Sequence, residues 1–194
     1  TVSMGVEASL TGHLVFSTLH TNSAPESITR LLDMGMDPFN FADALLGILA
    51  QRLAKKLCDC KEAYVPDAEE FRLFTAEYSE ELRHSAAWKA DYAGESKKLV
   101  ESWQKTYGQD GQLKFYRHVG CDKCNKTGYK GRIGLHELLI ADDDIKKLIQ
   151  ERARVAEIFA AAVEGGMRTL KMDGMEKIMM GLTDLKMVRS VCIK

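Results

Sequence analysis

The 194-residue chain has almost no net charge: 27 Lys and Arg stand against 28 Asp and Glu, which leaves −1. That argues against binding nucleic acid through a strongly basic surface, although local basic faces remain open. No long apolar run is present. The longest, Phe41 to Ala50, contains Asp43 and falls well short of the roughly 20 residues that cross a bilayer. The stretch from Thr1 lacks the charged-then-apolar pattern of a leader and opens in mid-pattern, with no cap or turn, so the expectation is a piece of a longer protein. Cysteine is sparse, with five residues at uneven spacing. A disulfide framework calls for an even count in a small secreted chain, and a metal site in a reducing compartment fits better. No Gly-Lys dipeptide occurs anywhere, which excludes a Walker-type phosphate loop.

What the chain does have is enough apolar residues, 45%, to bury a core. Its organising stretch runs from Gly120 to Arg132, with Cys121 and Cys124 followed by Gly128 and Gly131. A Cys-x-x-Cys turn aims both sulfurs at one point, the bite a tetrahedral metal needs. Glycines let the backbone fold round that point at little steric cost. Cys58 and Cys60 offer a second pair upstream. If both pairs hold one ion, the segment between them becomes a loop closed at its base.

In chain order, residues 1–11 read as a helix stopped by Gly12. His13 to Leu19 is a short apolar run rich in β-formers, expected as a strand buried on both faces. His20-Thr21-Asn22 would lie at its carboxyl end, the edge where open α/β sheets bind ligands. Asn22 or Ser23 caps a helix with Pro25 in its first turn. A second helix is expected from Phe39 to about Leu53, rich in good helix formers. Residues 67–107 are dense in charge, and read as one helix before Ser85 and another from Trp88 to Tyr107. Leu113 to Val119 and Arg132 to Ile140 read as strands flanking the cysteine turn. The last third is helical, with Asp142, Thr169 and Thr183 as caps and Gly165-Gly166 and Gly181 as stops.

Two stretches carry a family likeness. Leu10 to Asn22 resembles the histidine box of the bacterial secretion ATPases, the type II secretion protein E and type IV pilus assembly family. Val119 to Leu139 resembles the latter half of that family's tetracysteine zinc motif. Gly166 to Gly174 and Gly181-Leu182-Thr183 match the family's tail. The likeness implies an α+β, mainly helical chain in three parts: residues 1–54 as the trailing fragment of a RecA-like P-loop ATPase core, 55–139 as a zinc-bound subdomain with a long charged insert, and 140–194 as a helical bundle. It implies a hexameric motor in the cytoplasm, peripheral at the bacterial inner membrane. The motor's partners are the other subunits of a homohexamer and inner-membrane platform proteins, with no nucleic acid. ATP and Mg belong to the full-length parent, whose phosphate loop lies upstream; the fragment alone is not expected to hydrolyse ATP, and no catalytic residue is assigned in it. The tetracysteine motif goes with the assembly and export branch.

Each candidate has a plainer alternative. His20, by the resemblance, senses the nucleotide's γ-phosphate, with His13 as its companion in the box. Otherwise the group is a polar cluster capping the next helix. Arg30 is a subunit-interface contact or a solvated helix face. Cys58, Cys60, Cys121 and Cys124 are the zinc ligands, but Asp59 alone separates the first two where the family has two residues. A three-thiolate site completed by His118, Cys192 or water stands beside the four-thiolate one, as does a site that has lost its metal. A four-thiolate zinc is structural, contributing on the order of 10 kcal/mol to a part with little core of its own. Arg132, His136 and Glu137 read as a platform contact or an ion-paired strand. Trp88, Trp103 and Tyr107 are a docking site or part of a solvated insert, and Met167 to Met187 is adaptable core packing. A rival of another class is a zinc-dependent protein-interaction module unrelated to ATP.

Overall fold

In a computed structural model, residues 2–192 are described. The chain is α+β and mainly helical. In order it forms α1 (Val2–Leu10), α2 (Ala24–Asp33), α3 (Pro38–Ala44), β1 (Gly47–Leu57), β2 (Glu62–Tyr64), α4 (Ala68–Leu82), α5 (Ala86–Ala90), α6 (Tyr92–Tyr107), β3 (Phe115–Arg117), β4 (Tyr129–Ile140), α7 (Asp143–Gln150), α8 (Val155–Glu164), α9 (Leu170–Met179) and α10 (Leu185–Cys192). The β1 strand pairs with β4, and β2 pairs antiparallel with β3. Ala141 N–H donates to Leu46 O at one end of the β1–β4 pair and Cys58 N–H to Gly128 O at the other, so these strands run antiparallel too. Among the described residues no helix is long and apolar enough to cross a membrane.

The chain divides into two compact units, one of residues up to Ala50 with Glu137–Met167, the other of Gln51–His136 with the residues from Arg168 on. In the first unit α2 packs on α8, and α3 on α1 and α7. Its core is mainly aliphatic, with Ile28, Leu32, Leu139, Ile145, Ile149 and Ile158 buried together with Phe41. The caps follow from local chemistry. Ser23 Oγ accepts from Glu26 N–H at 3.4 Å, and the Glu26 carboxylate reaches back to Asn22 N–H at 3.2 Å. Asp142 Oδ1 accepts from Ile145 N–H at 2.9 Å, with Asp143 and Asp144 placed favourably at the positive end of the helix.

The second unit is built round tilted and edge-on aromatics. The Tyr78 and Trp103 rings meet at 4.9 Å and 85°, and those of Phe74 and Phe115 at 4.6 Å. Met172, Met175 and Met179 of α9 fill the remaining space, as expected for thioethers in an irregular core. Among them Glu176 is buried, accepting from Tyr78 OH at 2.7 Å, Tyr107 OH at 3.1 Å and Arg168 Nε at 3.2 Å.

Several sequence expectations are corrected here. Residues 14–19 are not a buried strand. They are irregular, and Leu14 and Phe16 are 69% and 88% exposed. A strand needs a neighbour for its N–H and C=O groups, and among the described residues none lies beside this one. The helix expected from Phe39 to Leu53 stops at Ala44, and the chain goes over into β1, because pairing with β4 overrides the helix propensity of Ala, Leu and Arg. The helix through Trp88 breaks at Asp91, which caps α6 by accepting from Gly94 N–H at 2.9 Å. Trp88 and Trp103 are buried and Tyr107 is tied to Glu176, so none of the three forms a docking site. At α10 the capping carboxylate is Asp184, accepting from Met187 N–H at 3.0 Å. Thr183 instead donates to Lys55 O at 2.9 Å.

Candidate metal centre

Cys121 opens a 3-10 turn over Asp122–Cys124, and Asn125 and Lys126 then take left-handed backbone conformations. Asn tolerates that region because its short polar side chain bonds locally. The chain reverses tightly enough for Lys126 N–H to donate to Cys121 O at 2.9 Å. Gly128 follows at φ +78, where a Cβ would stand 2.6 Å from His118 Cβ, so no larger residue fits without displacing the segment that follows β3. Its N–H donates to Cys124 Sγ at 3.2 Å, as does that of Cys121.

The first pair reaches the same point by a different route. Cys58 closes β1, its N–H on Gly128 O at 2.9 Å, and Lys61 N–H on Cys58 O at 3.0 Å completes a turn that swings Cys60 back. One intervening residue is therefore enough. The sulfurs of Cys121 and Cys124 lie 3.8 Å apart, those of Cys58 and Cys121 3.9 Å, and those of Cys60 and Cys124 4.0 Å. All four fall within 4.8 Å of one another. A disulfide would hold two sulfurs at about 2.05 Å, and all are free thiols. A tetrahedral ion with metal–sulfur bonds of about 2.3 Å sets its sulfurs about 3.8 Å apart, so the spacing fits a metal ion.

Their acidities diverge. The N–H groups of Cys121 and, less strongly, Gly128 pull the Cys124 thiol down to about 6, against the desolvation that burial imposes. At Cys60 the Gly120 backbone favours the thiolate, but desolvation and the neighbouring sulfurs outweigh it and push the thiol up to about 11. Such a cluster cannot shed all its protons unless a cation enters to offset the charge. His118 is not in the cluster. Its Nδ1 lies 3.1 Å from Tyr129 OH and 3.6 Å from an Asp184 carboxylate oxygen, and its ring stacks on Tyr129. Cys192 is not a member either.

His13 is exposed, with Nδ1 3.3 Å from Thr11 Oγ1 and 3.2 Å from Ala8 O. His20 is also exposed, and Arg30 Nη1 donates to its carbonyl at 3.0 Å, so these two candidates meet through backbone. Arg132 and His136 are exposed. Glu137 is buried, and its carboxylate accepts from Ala24 N–H at 2.7 Å, close to the start of α2, where the helix dipole favours negative charge. Tyr129 and Asp184 were not among the candidates. A tyrosine directly after a turn glycine was the available signal for the first; nothing local marked the second.

A family model described as Type II/IV secretion system protein matches residues 1–190. The chain is 39% identical over 192 residues to the "Type II secretion system ATPase E" of Vibrio cholerae, covering 98% of this chain and 32% of that protein. It is 39% identical over 189 residues to the "Type IV pilus assembly ATPase PilB" of Thermus thermophilus, covering 97% of this chain and 18% of that one. It is 38% identical to the "Type IV pilus assembly ATPase TfpB" of Acinetobacter baylyi, of which it covers 28%. The chain thus spans a third or less of each of these relatives.

Proposed function

The chain belongs to the Type II/IV secretion system protein family, and on that footing we propose that it is the C-terminal portion of a motor ATPase that powers pilus assembly or type II protein secretion. The reading rests on one observation, the match across residues 1–190 together with relatives named as ATPases of both machines. In it, the parent is a homohexamer in the cytoplasm, peripheral at the inner membrane, that passes motion to platform proteins. Residues 1–54 are the trailing part of a RecA-like core, 55–139 the zinc-bearing part and 140–194 the closing helices. His20, with His13 beside it in the motif, senses the γ-phosphate, and Arg30 meets the adjacent subunit. ATP and Mg are held by the part of the parent that carries its phosphate loop.

Cys58, Cys60, Cys121 and Cys124 hold zinc. Four protein thiolates leave no open position for a water, so the ion is structural and ties β1 to the turn that precedes β4. Soft sulfur ligands in a tetrahedral set favour zinc over the hard divalent cations.

Two measurements test this. The gene upstream of the Thr1 codon should encode a Gly-x-x-x-x-Gly-Lys-Thr or -Ser motif. In the full-length parent, His20→Ala should lower kcat about a hundredfold, the cost of one lost charge-stabilising donor, with nucleotide affinity little changed. Absence of the motif overturns the motor reading, and an unchanged kcat removes His20 from the nucleotide site. Metal analysis should find one zinc per chain, lost or bound far more weakly in Cys60→Ser; full retention removes Cys60 from the ligand set.

A further inference from the structure

Besides the thiol cluster, the second unit contains a cavity of about 740 Å3 between the exposed face of β1, the start of β4 and α10. That volume lies within the range of natural ligand sites. Its walls are apolar. Leu53 comes from β1 and is 48% exposed, and Met187 and Val191 come from α10. Tyr129 contributes its ring, fixed in place because its hydroxyl donates to Asp184 and meets His118. Lys55 and Arg132 bring two positive charges, and no carboxylate is among the lining residues.

Several cations of the unit are committed to ion pairs away from the groove. Arg72, Arg83, Lys98, Lys171, Lys177 and Arg189 are each paired with a carboxylate elsewhere. Among the described residues, the Arg132 guanidinium has no ion pair or hydrogen bond, and the Lys55 ammonium has only the Tyr129 ring, 5.9 Å away. Two like charges facing one cavity repel each other, and an anion between them would relieve that cost. The anion's carrier must also cover Leu53, Met187 and Val191.

We propose that this groove docks a short acidic segment of a partner protein, with carboxylates on Lys55 and Arg132 and an aliphatic side chain between Leu53 and the α10 wall. Three observations favour a peptide. Two cations fall short of the cluster of about 4–8 that holds an anionic membrane surface. The Tyr129 ring, among the described residues the one aromatic face lining the groove on which a nucleotide base could stack, is already stacked on His118 and overhung by Lys55. The methionine and the aliphatic walls suit a flexible apolar side chain. The proposal stands on the groove itself and does not depend on the motor reading.

The test is fluorescence anisotropy of the chain with a labelled peptide alternating Asp and Leu. The controls are an all-Asp peptide and one alternating Lys and Leu. Wild type should bind the Asp–Leu peptide at least tenfold more tightly than either control. Lys55→Glu combined with Arg132→Glu should weaken it at least tenfold and raise affinity for the Lys–Leu peptide, a gain that only a folded variant can show. Met187→Gln, which removes the apolar contact without adding charge, should weaken Asp–Leu binding while leaving the weak all-Asp binding unchanged. The proposal is overturned if wild type does not bind the Asp–Leu peptide, if the double variant binds it as well as wild type does, or if all-Asp binds as tightly. It is equally overturned if inorganic phosphate, ATP or phosphatidylserine vesicles displace the peptide at concentrations below its own.

Discussion

Cys60 and Cys124 stand on opposite sides of neutrality although their sulfurs lie 4.0 Å apart. At pH 7 the Cys124 thiol, at about 6, is already mostly ionised. The Cys60 thiol, at about 11, keeps its proton until a metal ion displaces it. Metal binding must therefore release at least one proton above neutrality, and zinc affinity should rise at least about tenfold per pH unit between pH 7 and 9. Competition against a chromophoric chelator at each pH checks this; a flat profile would mean that Cys60 is not a ligand. The second critical residue in this unit is Glu176. Its buried carboxylate serves two phenols and a guanidinium, so Glu176→Ala leaves Tyr78 OH without its acceptor and opens a hole. We expect a loss of about 3 kcal/mol, against about 1 kcal/mol for Tyr107→Phe, both read from urea unfolding. Equal costs for the two would mean that the carboxylate is not the centre of the network.

At the level of elements, α9 and α10 approach so closely that Gly174 has no room for a methyl group. A Cβ there would stand 2.7 Å from Val188 Cγ1 and 3.1 Å from Leu135 Cδ1. Gly174→Ala should cost about 1–3 kcal/mol from overpacking, although alanine is the better helix former by about 1 kcal/mol. Adding Val188→Ala should recover part of that, and a double-mutant cycle with no coupling would refute the contact. Sequence reading could not find this, because nothing in Lys171-Met172-Asp173-Gly174 says which helix will face it. It did find the punctuation: Ser23, Asp142 and Thr169 were legible as caps, since capping is decided within four residues. It failed where the answer lay in a distant partner. Gly47 to Leu53 reads as helix by propensity and is strand by pairing, and residues 14–19 read as strand by propensity and have no strand to pair with among the described residues. The candidate metal centre was legible because sulfur chemistry shows in the letters. How Cys58-Asp59-Cys60 closes on the other pair with one residue between its thiols was not, since that depends on the turn held by Lys61 N–H. The groove was hidden for the same reason: Lys55 and Arg132 belong to different strands.

At the scale of the molecule, the chain passes between its two units at Ala50–Gln51, His136–Glu137 and Met167–Arg168, and all five cysteines lie in the second. The first unit's core is mainly aliphatic, and among the described residues the cluster of possible metal ligands lies wholly in the second. The second has an aromatic and methionine core, but the turns carrying the thiols sit outside it, joined to it by the short β2–β3 pair, the ends of β1 and β4, and hydrogen bonds such as Leu57 N–H on Leu182 O at 2.9 Å that reach the α9–α10 loop. A structural ion contributes stability where the local core is thinnest. Chelation should therefore unfold the chain locally, as a low-stability segment opens before the rest. Amide exchange over residues 57–64 and 115–131 should speed up by at least about a hundredfold when zinc is stripped. The amides of α2, α7 and α8, packed round Ile28, Ile145 and Ile158, should keep their protection. The same segments should regain protection when one equivalent of zinc is restored, because the turn at Cys121–Gly128 closes again as its thiolates regain a common cation. Loss of protection spread evenly across both units would mean that the ion holds the whole chain together, and that the aliphatic unit does not stand by its own packing.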